Sequence, residues 1–262
     1  MSIRNICTAA AIATTVATVG LLLSCSRGKE EAMSVWMARS EMVRQTEGDD
    51  LHTLGMRRVA DKSGNAELRA FAWADVDRQI SEPALMRRYL ANTSVAFDEN
   101  VDLFKRRAAE GDTLLHAWAI DNGRQLMAMV CLIADDETHA SDSLKSNAQS
   151  LANALLKLRD GKDGLWRRIL LSPKGDANDA DPAASAMITY ALLKGARTGV
   201  LPHEMAEAGR EGLSHFTETF IHTTETTGDG RDLISVIDNT PDTINDTEAT
   251  GAFLLSCLEV GL

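Results

Sequence analysis

Cysteine is scarce, with four in 262 residues. No two stand in a C-x-x-C pair, so the sequence encodes no thiolate zinc ribbon and no dithiol redox centre of that kind. The nearest approach to a helical zinc-hydrolase motif is His203-Glu204-Met205-Ala206-Glu207. Its second histidine is missing, and it reads as the start of a helix. Positive charge is outnumbered, with 27 Lys and Arg against 38 Asp and Glu and a net charge of −11. No basic patch stands out, so nucleic acid is not an expected partner. An acidic surface repels polyanions in bulk, yet leaves room for a local cationic pocket that takes one acidic group. Strand-like alternation is rare: 233–237 carries it well and 165–171 more weakly. There is no clean internal repeat and no low-complexity linker. What remains is 44% hydrophobic and 25% charged residues. Those are globular proportions, which exclude a collagen-like fibre and wholesale disorder. The length suffices to bury one large core.

The first 25 residues read as an address. Arg4 gives a short positive start, and Thr8 to Leu23 is uncharged, apolar and small. That stretch is too short and weakly flanked for a lasting membrane span. It ends in Leu22-Leu23-Ser24-Cys25, which resembles the bacterial lipobox, where the cysteine is lipidated after cleavage; the plainer reading is an ordinary cleaved signal peptide. The expected organisation is a signal peptide at 1–24, lipidated Cys25 with a polar tether to 33, and one helical domain over 34–262. The expected location is the bacterial cell envelope, with lipid as the only membrane attachment. Of the other cysteines, Cys7 leaves with the signal, while Cys131 and Cys257 lie in apolar runs. Those two read as buried thiols, with a disulfide left open.

Apolar residues recur at three-and-four spacing through the rest of the chain. This predicts helices over roughly 34–45, 83–91, 97–110, 122–135, 142–159, 183–199, 203–222 and 248–260. Breakers separate them, among them Asp160-Gly161-Lys162-Asp163-Gly164 and Gly199-Val200-Leu201-Pro202. About eight helices with short connectors imply antiparallel helical hairpins.

Chemistry-bearing residues cluster at the predicted helix ends. Trp73-Ala74-Asp75 precedes the helix opened by Pro83. His116-Ala117-Trp118 precedes Asp121-Asn122-Gly123-Arg124, and Gly164-Leu165-Trp166 follows the 142–159 helix. Aromatic rings stack on sugar faces, and carboxylates and histidine bond hydroxyls, so this is the composition of a carbohydrate site. Each cluster also has a plainer reading. A tryptophan in a helical protein is most often core. Asp75 fits a helix cap, His116 an interior histidine, and Asn122-Gly123 a turn.

Taken in order, these segments resemble glycoside hydrolase family 105 and its relative family 88, the unsaturated rhamnogalacturonyl and glucuronyl hydrolases. Gly164-Leu165-Trp166-Arg167-Arg168-Ile169-Leu170 is similar to G-L-W-x-x-x-L. Ala184-Ser185-Ala186-Met187-Ile188-Thr189-Tyr190-Ala191-Leu192 is similar to S-A-S-A-M-x-x-Y-A-L, and Lys194-Gly195-Ala196-Arg197-Thr198-Gly199 continues it. Asn122-Gly123 with Leu126-Met127-Ala128, and Gly251-Ala252-Phe253-Leu254-Leu255 near the end, complete the clearest part. Upstream, Trp73-Ala74-Asp75 and Pro83-Ala84-Leu85 resemble W-x-D…P-x-L.

The resemblance implies an all-α fold, an (α/α)6 toroid built from helical hairpins, here incomplete. Six hairpins need twelve helices and about eight are predicted. It implies Asp75 as general acid/base, with Trp73, His116, Trp118, Asn122, Arg124 and Trp166 around the sugar. It implies no cofactor and no metal. The implied substrate is a short oligosaccharide ending in a 4,5-unsaturated uronic acid. Departures are specific. The residues flanking the family's N-G become Ile120 and Arg124, and Asp181-Pro182-Ala183 replaces Glu-Thr-Ser. These changes remove groups that hold the substrate in the family. They leave open a non-catalytic relative that binds carbohydrate or serves as a surface scaffold.

Overall fold

In the computed structural model, residues 31–135, 141–173, 178–237 and 245–261 are described. The expected signal peptide and Cys25 lie outside them. The described chain runs through helices α1 (Met33–Arg44), α2 (Asp50–Ser63), α3 (Ala66–Ala72) and α4 (Glu82–Leu90). Strands β1 (Ala96–Asp98), β2 (Leu103–Arg107) and β3 (Leu115–His116) follow. Then come α5 (Ala119–Asp135), α6 (Asp142–Leu158), α7 (Pro182–Thr198) and α8 (Met205–Phe220). A hairpin of β4 (Ile221–Thr226) and β5 (Asp232–Val236) leads into α9 (Thr247–Val260).

Local chemistry sets these boundaries. Asp49 caps α2 by accepting from the His52 amide, Asp181 caps α7 just ahead of Pro182, and Asp246 caps α9. Gly64, Gly199 and Gly261 end α2, α7 and α9 in the left-handed conformation, which costs glycine nothing.

Four helices run side by side in one direction. Gly123 of α5 lies against Ala184 of α7 at their starts, and Asp135 meets Lys194 near their ends. Thr247 of α9 donates to Asp49, the cap of α2, and Lys62 donates to the Leu258 carbonyl one helix-length on. Close approach needs glycine here: a Cβ on Gly251 would stand 2.5 Å from the Leu51 carbonyl oxygen. The resulting arc is α5–α7–α9–α2, with α6 and α8 packed outside α5 and α7, and α1 outside α2 and α9. The core is this arc's shared interface. Trp166, Phe216, Phe220 and Phe253 are among its fully buried side chains, each worth about 1.5–3 kcal/mol of apolar burial.

Helix α4 runs the other way. Glu82 at its start reaches Lys194 at the far end of α7, while Tyr89 near its end receives the Gln125 amide at the start of α5. Lys194 is buried between Glu82 and Asp135, at 3.0 and 2.6 Å. Burial opposes ionisation of Glu82, but Lys194 and Arg58 outweigh it and hold the carboxyl below the usual range. A second buried cluster ties α1 to α2. Glu41 accepts from His52 at 3.1 Å and from the Asn245 side chain at 3.0 Å. Burial again opposes its charge, and those bonds hold its carboxyl low.

The all-α expectation holds, with two corrections. Residues 97–110 are not a helix. The β1–β2 hairpin lies there, pairing Phe97 with Phe104. Asp98 accepts from the Asn100 amide in the turn, and Asp102 takes a left-handed φ of 55°. Conversely, α2 and α3 were not anticipated. Charged residues at Arg57, Arg58, Asp61 and Lys62 dilute the apolar stripe of α2, although Leu51, Leu54 and Val59 are buried. The 165–171 segment makes only isolated bridges, Arg167 to Ala180 and Ile169 to Trp118. Cys131 and Cys257 are free, buried thiols, and burial pushes the Cys131 thiol up to about 12.

Candidate active site

The starts of α2, α5 and α9 and the end of α4 meet at one end of the arc. Asn122 organises this end. Its side-chain oxygen accepts from the Phe104 amide at 2.8 Å, and its amide nitrogen donates to the Phe104 and Trp118 carbonyls at 2.9 and 2.7 Å. This fixes β2 beside the first turn of α5. β3 pairs with β2, setting His116 opposite Arg106. The His116 and Trp118 rings lie 6.0 Å apart, and the Arg106 guanidinium sits over Trp118 at 5.1 Å. Arg106 Nε also donates to the buried Asp121 carboxylate at 2.5 Å.

Two clefts open here. The first, of about 590 Å³, is lined by Lys105, Arg106, Arg107, Leu115, Asp121 and Arg124, with small residues and Glu110 around them. The second, of about 400 Å³, is lined by Asp50, Arg78, Arg88, Tyr89, Arg124 and Glu248, beside Asp49. Arg124 belongs to both. It grips Glu248 with two bonds, Nε to Oε1 at 2.9 Å and Nη2 to Oε2 at 2.6 Å. Its guanidinium lies 5.8 Å from the Tyr89 ring centroid. The Tyr89 hydroxyl points to Glu248 at 3.4 Å, and burial together with that carboxylate pushes the phenol well above its usual range. Arg88 and Arg78 clamp Asp50 and hold it ionised below its usual range. Lys105, with Asn100, draws the half-buried Asp98 carboxyl down to about 2.

The expected site residues thus fall into three groups. His116, Trp118, Asn122 and Arg124 come together at the start of α5, with Arg124 facing both clefts. Trp73 and Asp75 lie apart, on the α3–α4 connection. Asp75 is exposed, lines neither cleft, and accepts from the Asp77 and Arg78 amides at 3.2 and 3.1 Å. Its link to the second cleft is Arg78 itself. Trp73 is 41% exposed, with Arg57 over its ring at 4.4 Å and its indole N–H on Asp61. Trp166 is fully buried and donates to the Leu155 carbonyl at 2.7 Å. The expectation of a sugar platform there is corrected: that ring is core. Asn122 is likewise fully buried, and its role is to hold backbone. Sequence reading missed Lys105, Arg106, Arg107, Tyr89, Asp50, Arg88 and Glu248. The Lys105-Arg106-Arg107 run just ahead of His116-Ala117-Trp118 was the available signal.

Comparison with known proteins places this arrangement. Two curated relatives, "Protein Atu3128" of Agrobacterium fabrum and the "24.9 kDa protein in picA locus" of Rhizobium radiobacter, are each 35% identical over 107 residues. That covers 39% of this chain and 46% of each relative, so under half of their length is matched. Among solved structures, a family 105 glycoside hydrolase of C. acetobutylicum superposes with a TM-score of 0.67 at 16% identity. The superposition covers 88% of this chain and 99% of that one, and it shows the shared fold, the (α/α)6 toroid type. The model of Glycosyl Hydrolase Family 88 matches residues 74–260. That is well over half of the chain, and the protein belongs to glycosyl hydrolase family 88.

Proposed function

We propose that this protein binds short oligosaccharides ending in a 4,5-unsaturated uronic acid and hydrolyses them, with the uronate carboxylate held at Arg124. The observation that carries the reading is the concentration of cations where β2 meets the start of α5. In the first cleft Lys105, Arg106, Arg107 and Arg124 outnumber Asp121 and Glu110, in a chain of net charge −11, while in the second Asp49, Asp50 and Glu248 balance Arg78, Arg88 and Arg124. Guanidinium forks match carboxylates, and fixed cations in a cleft concentrate an anionic ligand. Arg107 makes no ion pair among the described residues, and its fork is open to solvent. Leu115, exposed in the first cleft, supplies apolar surface that a sugar ring covers.

In this reading Asp75 is the general acid/base, on the strength of the motif resemblance. Its carboxyl gives a proton to C4 of the C4=C5 double bond. The oxocarbenium-like cation left at C5 takes water, and Asp75 regains a proton from that water. The resulting hemiketal opens and the glycosidic bond is lost. One carboxyl serves both steps, so the paired carboxylates of ordinary glycoside hydrolysis are not required. The exposure of Asp75 and its distance from both clefts favour a second reading, a relative that binds the sugar without turnover. Loss of ultraviolet absorbance from unsaturated rhamnogalacturonyl and glucuronyl disaccharides separates the two. The first reading expects turnover that falls at least about 100-fold in Asp75→Asn, the scale of general acid–base catalysis. Binding by folded protein without any turnover establishes the second. Envelope anchoring through Cys25 belongs to the same proposal, and Cys25→Ser is expected to move the protein from the membrane to the soluble fraction.

A further inference from the structure

The geometry points to Glu248 as an internal stand-in for the substrate carboxylate: it occupies the Arg124 fork in the unliganded protein and is displaced by a uronate. The inference rests on the reading of this end as an acidic-sugar site, and adds how the site is held closed and what sets its selectivity.

Arg124 is the residue common to both clefts. Its pair with Glu248 is two-pronged, at 2.9 and 2.6 Å, the geometry by which a guanidinium binds any carboxylate, including one on a sugar. Glu248 is half-buried and keeps an edge toward solvent. Its side chain is about one-fifth exposed and that of Arg124 about one-third. Glu248 lies in the first turn of α9, where its charge is already favoured by the helix dipole, so it loses little on leaving Arg124 for water. Tyr89 is the latch, its hydroxyl on Glu248 and its ring beside Arg124. When a uronate takes the fork, Glu248 swings out and the two clefts join along the freed guanidinium. A neutral sugar has no carboxylate to exchange for Glu248, so the device selects acidic ligands. It also lowers their apparent affinity, because only the fraction of molecules with an open fork is competent.

The test is calorimetric binding of a saturated uronate disaccharide, which has no double bond to hydrate, alongside its neutral counterpart. Wild type, Glu248→Gln, Tyr89→Phe and Arg124→Gln are compared, each checked for folding by thermal melting. Glu248→Gln keeps the shape and removes the competing charge. It is expected to tighten uronate binding about tenfold, as for a fork open about one-tenth of the time, and to leave neutral-sugar binding unchanged. Tyr89→Phe is expected to shift uronate binding the same way by less. Arg124→Gln is expected to abolish the preference for uronate. Uronate binding by wild type that is unchanged or weaker in both Glu248→Gln and Tyr89→Phe overturns the inference and leaves the proposed function standing. Equal tightening for the neutral sugar overturns it too, since that marks a general loosening. No uronate binding by any form overturns this inference together with the reading beneath it.

Discussion

Asn122 bonds backbone through both of its side-chain polar atoms, accepting from Phe104 and donating to Phe104 and Trp118. Asn122→Ala removes the side-chain partner of the Phe104 amide and carbonyl, at about 1–3 kcal/mol each, while the Trp118 carbonyl keeps the backbone amide of residue 122. It is expected to destabilise the fold by several kcal/mol in urea titration and to raise amide exchange across 103–107. Uronate affinity is expected to fall with it, because Arg106 and Arg107 ride on that strand. Trp166 makes a contrasting case. Trp166→Ala removes a fully buried ring and is expected to cost about 3–5 kcal/mol in stability. Trp166→Phe, which keeps most of the volume, is expected to leave sugar affinity within twofold, because the ring faces no cleft. The motif containing Asn122 was visible in the sequence, but which way its side chain turned was not. An Asn-Gly pair looks the same whether it lines a pocket or clamps a strand.

Helix α4 is the element that departs from the parallel arc. The buried Glu82–Lys194 pair anchors its start, and the Tyr89–Glu248 contact sits near its end at the clefts. Removing one partner of a buried pair strands the other charge, at about 3–5 kcal/mol. Lys194→Met is therefore expected to lower the urea midpoint sharply. Glu82→Gln in that background is expected to recover part of the loss, since the buried carboxylate there keeps only Arg58 as counter-charge. The β1–β2 hairpin shows why element type was hard to read locally. Phe97, Val101 and Phe104 satisfy a helical spacing of four and three. Phe97 and Phe104 also bracket the turn at Asp98–Asp102, and their cross-strand packing at 5.1 Å decides for the hairpin. In α2 the reverse happened: charges at Arg57 and Arg58 obscured a helix that tertiary contacts with α9 stabilise.

At the scale of the whole molecule, acid is the expected weak point. Glu41 and Glu82 titrate near 4.5 when unfolded, and both are held lower in the fold. The folded state therefore binds fewer protons than the unfolded chain in that range, and stability falls as pH falls. The stabilisation is complete above about pH 4.5 and is lost as pH drops through the folded values. A melting-temperature series from pH 7 to pH 3 is expected to be flat above about pH 5 and to fall steeply below about pH 4.5. Glu82→Gln with Lys194→Met is expected to reduce that slope, because one of the two buried low carboxyls is removed.

Sequence alone determined the helical class, most of the α4–α9 boundaries and the family resemblance. These depend on caps, breakers and apolar spacing, which act over a few residues and can be read in place. It also marked the start of α5 as a place of chemistry. Tertiary structure alone decided that Arg124 meets Glu248, 124 residues away, and that Glu82 meets Lys194, 112 residues away. It also decided that Trp166 is core and that Asp75 stands outside the clefts. A charged side chain carries no local trace of its partner. Only the packing of α2, α4, α5 and α9 brings those charges within bonding distance.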